Sequence, residues 1–213
     1  MTSPRTNFAQ ECENILNELI HVFWSAEQTY LSLSTVCASD RMAMLGFSEY
    51  FHLCCLRARI MAERLIHFLT ARGGHFTMVD VKSMVPSSTE NKIEGLLQFV
   101  IDMEKRLETM LTDLHSTANS KNDIMTREFI ECDLLHYQLH TIKIMVNHLN
   151  GLHAAKNEWI YDTLTMKPFV LKIYTMIGRF GTDMSNQSSL TTTTTPKAFD
   201  GSMEVLVNCL RRL

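Results

Sequence analysis

Three polar side chains interrupt otherwise apolar helical stripes, and they carry the strongest hint of chemistry in the chain. Glu104 lies four residues after Val100 and three before Leu107, so it points into a helical core. Gln138 follows Leu134 by four on the same logic, and Tyr30 shares the inner face of the first apolar stripe. A buried carboxylate is costly unless it is hydrogen-bonded, paired or metal-bound. Two readings fit. Glu104 is part of a metal site built between facing helices, or it is a neutral member of a hydrogen-bonded trio with Tyr30 and Gln138. Ligand count favours the trio, because one carboxylate, one amide and one phenol make a poor iron site.

Histidines give weaker signals. His136 and His140 stand at i, i+4, a spacing that can chelate zinc or copper, and Glu49 and His52 stand at i, i+3 near the start of the second helix. Isolated pairs of this kind are more often plain surface histidines. Glu128 and Glu131 share a helix face, with His115 near the preceding turn. Alone they form a solvated acidic patch. Around a threefold axis they would form rings of carboxylates that guide cations. The 14 methionines show no repeated Met-x-x-Met spacing and suit adaptable core packing.

The elements that hold these residues follow from the periodicity. Apolar positions at helical spacing run from about Ala9 to Val36 and from about Met44 to Arg72, ending at Gly73-Gly74. They resume from Lys92 to about Asn119, and again from the Lys121-Asn122-Asp123 turn to roughly Gly151. The stretch from His75 to Asn91, which contains Pro86-Ser87-Ser88-Thr89, reads as a long surface connection. The expected fold is all-α, a four-helix bundle with one long crossover between helices two and three. A short fifth helix is expected at Glu158 to Met166. Residues 1–166 form the expected domain and residues 167–213 a divergent tail. Within the tail, Ser185 to Pro196 is a low-complexity Ser/Thr linker, and Met203 to Leu213 is apolar enough for a short docking helix, with a frayed end as the alternative.

Composition narrows the partners. The 213 residues carry 20 basic and 23 acidic side chains, a formal charge of -3, which offers no polyanion-binding surface and argues against nucleic acid. Apolar runs such as those flanking Gln98 are too short to span a membrane. The first residues lack the apolar stretch of a signal peptide, and the six cysteines form no Cys-x-x-Cys pair. A cytoplasmic chain with reduced thiols is expected.

The chain resembles eukaryotic ferritin subunits of the heavy-chain type. The resemblance runs from Cys12 through Arg72-Gly73-Gly74, then Glu104-Lys105, Leu114-His115, Ser120-Lys121-Asn122-Asp123 and Phe129-Ile130-Glu131. It recurs at Glu158-Trp159-Ile160-Tyr161-Asp162, so it covers residues 12 to 166. It implies a ferritin-like bundle, an iron-storage shell, iron as cargo and oligomers of this chain or of it with other ferritin subunits. It also implies a ferroxidase centre whose remnants are Glu104 and Gln138, with Tyr30 nearby. The remaining ligand positions of that centre hold Phe23, Ala58 and Met61, so a chain without ferroxidase activity of its own is expected. His115, Glu128 and Glu131 match the family's channel positions, with Arg127 beside them. Leu53, Leu56, Arg57 and Ile60 fall where light-type subunits present cavity-facing glutamates. That predicts an apolar and basic cavity face on which ferric nucleation is not expected. A non-iron interaction protein on the same scaffold is the alternative.

Overall fold

The computed structural model describes residues 2–82, 84–85, 92–178 and the helix at 200–210, the side chains of the last from Met203 onward. Six helices account for most of these residues, and no strand occurs among them. Helix α1 spans Gln10–Ala38, α2 Leu45–Ala71 and α3 Ile93–Ser120. Helix α4 begins at Ile124–Ile130, passes through a π-turn at Glu131–Leu135 and continues through His136–Ala155. Helix α5 is likewise continuous, from Glu158–Tyr161 through a π-turn at Asp162–Met166 to Lys167–Met176. Helix α6 is Asp200–Leu210.

The long connection after α2 is fastened to the flank of α1. Asn17 donates to the carbonyl of His75 (3.1 Å) and accepts from Thr77 N–H (3.0 Å), and Thr29 Oγ accepts from Met84 N–H (2.8 Å). The chain therefore travels along α1 from Asn17 to Thr29 before α3 starts, which is the crossover that the spacing predicts. Pro86 to Thr89 and the Ser/Thr linker at Ser185 to Pro196 lie outside the described residues.

Each end of the bundle is tied by a buried charge. Arg72, at the end of α2, donates to Asp123 (2.8 Å), to Thr126 Oγ (3.2 Å) and to the carbonyls of Thr6 and Asn7. Asp123 in turn caps α4 by accepting from Thr126 N–H (3.1 Å). Gly73 follows at a φ of 76°, a left-handed value that closes the helix at little cost only for glycine. At the other end Asp162 of α5 accepts from the N–H groups of Gly46 (3.0 Å) and Phe47 (2.7 Å), the orphan donors at the start of α2. A Cβ on Gly46 would meet Asp162 Oδ1 at 2.7 Å, so this contact requires glycine.

The fifth helix is longer than its apolar segment suggests. Pro168 has no N–H to donate, and the π-turn immediately before it absorbs the break, so the helix continues to Met176. Beyond it, Met203, Leu206, Val207 and Leu210 form one buried stripe on α6, which packs on α4 and α2. The docking helix, rather than the frayed end, is what the structure contains.

His148 lies between α4 and α5, 1% exposed, with its ring edge-on to Tyr50 and Phe169 and Nδ1 3.0 Å from Tyr161 Oη. Burial pushes its pKa down to about 4. An unfolded histidine titrates near 6.5, so between about pH 4 and 6.5 the unfolded chain binds a proton that the fold refuses. The stabilisation is complete above that window and is lost as pH falls through it. Denaturant titrations should show a His148-dependent loss of about 2 kcal/mol between pH 7 and pH 5. That slope should vanish in His148→Gln, and an identical slope in the variant would refute the assignment.

Candidate functional site

The four long helices bring the sequence-predicted residues to one buried point. Tyr30 enters from α1, Glu104 from α3 and Gln138 from α4, each almost inaccessible to solvent. Gln138 Nε2 donates to Glu104 Oε2 (2.6 Å) and to the Glu104 carbonyl (2.8 Å), and Tyr30 Oη donates to Glu104 Oε1. Phe23, Ala58 and Met61 are buried in the same apolar core.

A fourth member was not in the expected trio. Arg57 of α2, 1% exposed, donates from Nη2 to Glu104 Oε1 in a fully buried ion pair. This corrects two expectations. Glu104 is a charged partner rather than a neutral one, and Arg57 turns into the bundle instead of making a cavity face basic. Leu53 and Ile60 are buried too, and Leu56 is half-buried. Helix α6 packs against α2 and α4, and burial there raises the Cys209 thiol pKa while the Arg57 charge partly opposes it.

The electrostatics are self-consistent. Burial alone would push the Arg57 pKa down, but the charge of Glu104 outweighs it and holds the guanidinium charged more firmly than usual. Tyr30 is pushed far above the ordinary phenol value, first by burial and then by the Glu104 charge, so it stays a donor. Burial likewise pushes the neighbouring Cys54 thiol up to about 12. One cation and one anion therefore cancel inside the buried core.

A carboxylate offers about four lone-pair positions. Here Oε1 serves Tyr30 and Arg57, and Oε2 serves Gln138. A pair of cations would meet one carboxylate already committed to three donors, beside a fixed positive charge. The residues present do not fit a two-metal centre. Nor does Glu27 substitute for the missing ligands, since its Oε1 is paired with Arg59 at 2.7 Å.

The residues at the expected channel positions are placed separately. His115 and Glu131 meet at 2.6 Å, Glu128 is exposed one turn away, and Arg127 donates to Asn119 (3.1 Å). Glu49 accepts from Tyr174 Oη at 2.8 Å. Among the described residues, no group of three or more His, Cys, Asp or Glu side chains converges as a metal site.

Two antiparallel-type pairs of long helices joined by a crossover, with ligand-type residues facing inward from α1, α3 and α4, define the ferritin-like class of helix bundle. Residues 13–155 match the family profile described as the ferritin-like domain. The chain is 30% identical to "Ferritin, middle subunit" of Salmo salar over 168 residues, covering 76% of this chain and 95% of that protein. It is 31% identical to "Ferritin light chain 1" of Mus musculus over 183 residues, covering 78% and 99%. It is 33% identical to "Ferritin, chloroplastic" of Malus baccata var. xiaojinensis over 165 residues, covering 74% of this chain and 66% of that protein. The chain belongs to the ferritin family. Among the described residues no helix is long and apolar enough to cross a membrane.

Proposed function

We propose that this chain is an iron-storage-type ferritin subunit that lacks its own ferroxidase activity and co-assembles with active ferritin chains in the cytoplasm. The observation that carries this reading is the Arg57 guanidinium seated on Glu104. A protein cation stands against the one surviving carboxylate of the ancestral centre, where cargo iron would need anionic oxygen. Iron remains the cargo of the assembly, reached through the His115, Glu128 and Glu131 surface, while its oxidation falls to the partner subunits. The domain proposed at residues 1–166, extended by the rest of α5 to Met176, supplies the shared scaffold, and the chain beyond it supplies the departure.

Support for assembly comes from the outer face of α5. Trp159, Ile160, Leu164 and Leu171 of α5 are exposed, and Leu171 lines a surface cavity together with Leu45 of α2. Contiguous exposed apolar residues mark contact surfaces in soluble proteins. The alternative of a non-iron interaction protein draws on an apolar cavity face and on the long tail, and the burial of Leu53 and Ile60 removes the first of those supports.

Reassembly from denaturant with an active heavy-type ferritin chain tests the proposal, read by size-exclusion chromatography with light scattering and iron assay. The expected product is a mixed shell whose initial oxidation rate falls in proportion to the fraction of this chain. Exclusion of the chain from every shell-sized particle would refute co-assembly.

A further inference from the structure

A cleft of about 360 Å³ lies where α1 and α3 meet the end of the crossover. Small-ligand sites run from roughly 300 to 1,000 Å³, so it has room for a small guest. Phe99, Met103, Arg106 and Met110 line it from α3 at steps of four, three and four residues, which makes them one stripe along that helix. The stripe runs beside the one that buries Glu104 and is only partly covered. Phe99 and Met110 are half-buried, and Arg106 is exposed. Val22 lines the cleft from α1, and Met84 lines it from the crossover. Met84 is fixed there by the bond from its N–H to Thr29 Oγ (2.8 Å), two turns along α1 from Val22.

The lining selects the kind of guest. Most of it is apolar, and Met84, Met103 and Met110 are its commonest residue type. Unbranched thioether side chains re-pack around a flexible guest, so an alkyl chain suits the cleft better than a rigid ring. Its two charged residues, Asp102 and Arg106, are not equivalent. Asp102 accepts from Gln98 Nε2 at 3.1 Å, whereas the Arg106 guanidinium has no hydrogen bond or ion pair among the described residues. A guanidinium offers a planar fork of donors that matches a carboxylate. Asp102, one turn away on the same helix, repels a second negative charge, which favours a monoanion over a phosphate or a dicarboxylate.

We propose that this cleft binds an amphiphilic monocarboxylate, with its alkyl chain among Val22, Phe99 and the three methionines and its head on Arg106. Charge complementarity sets the head and the adaptable apolar lining sets the tail. The site lies on a different side of α3 from the buried Glu104 cluster, and it stands whether or not the chain co-assembles with other ferritins.

The test is calorimetric titration of the full chain with decanoate below its micelle concentration, with decanol and decyltrimethylammonium as uncharged and cationic controls. Decanoate should bind more tightly than either control. Arg106→Gln, a change at an exposed position, should weaken it by about tenfold, through loss of a charge-assisted contact. Asp102→Asn should strengthen it by roughly threefold, since a nearby like charge is removed. Met110→Trp, which fills the cleft, should block binding. Leu171→Asp, in the separate groove between α2 and α5, should leave it unchanged, and circular dichroism should show the four variants folded. Absence of decanoate binding in the wild type would overturn the proposal. So would wild-type affinity in Arg106→Gln or Met110→Trp, tighter binding of the cationic control, or loss of binding in Leu171→Asp.

Discussion

Glu104→Ala should destabilise the protein by about 3–5 kcal/mol, the cost of leaving a buried charge without its partner. In a chain of this size that corresponds to a fall in melting temperature of roughly 6–20 °C. Arg57 is 1% exposed, and among the described residues Nη2 donates to Glu104 while Nε and Nη1 find no partner. Its burial is therefore sustained by Glu104. The effect should be asymmetric. In Arg57→Met the carboxyl can take up a proton and still bond to Tyr30 and Gln138, so the loss should be smaller. The double variant Arg57→Met/Glu104→Gln removes both charges and should recover most of the stability lost in Glu104→Ala. Thermal denaturation of the three variants decides it. Equal losses in both single variants would show that the pair is not the organising contact.

The second large effect concerns α6. Val207 is 1% exposed and Cys209 fully buried, both on the helix that packs on α4 and α2. Val207→Asp places a carboxylate in an apolar contact, at a cost of about 3 kcal/mol or more to docking. Detachment of α6 would expose Cys209, whose pKa is raised chiefly by burial and partly lowered again by Arg57 and Arg64. Alkylation of Cys209 should then accelerate by about 100-fold, because each 1.4 kcal/mol of opening is a factor of ten. Mass spectrometry of the labelled peptide measures this directly. Cys132, already exposed, supplies the internal reference. An unchanged Cys209 rate would mean that α6 does not depend on this stripe.

The helices were legible because their apolar residues recur every three to four positions for nearly the whole length of α1, α2 and α3. The inward direction of Tyr30, Glu104 and Gln138 followed from the same periodicity. Arg57 was misjudged. It stands three residues after Cys54 and four before Met61, on the buried stripe, but it was read as facing the cavity because it falls where light-type subunits present cavity-facing glutamates. Glu104 itself demanded a partner, and joining the two demands would have found the pair. The cover provided by α6 was not legible from position alone, since an apolar segment after a polar linker does not name the face that receives it. The π-turns escaped as well. In α4 the turn falls where no proline or glycine marks it, and in α5 only Pro168 hints at one.

The most direct test of the central claim is oxygen consumption and ferric absorbance when Fe²⁺ is added in air to the protein alone. With the Arg57 guanidinium on Glu104, no fast saturable phase should appear, and Glu104→Ala should leave the slow background unchanged. A rapid phase that saturates with iron and is abolished by Glu104→Ala would contradict the account, because it would require Glu104 to hold metal in place of Arg57.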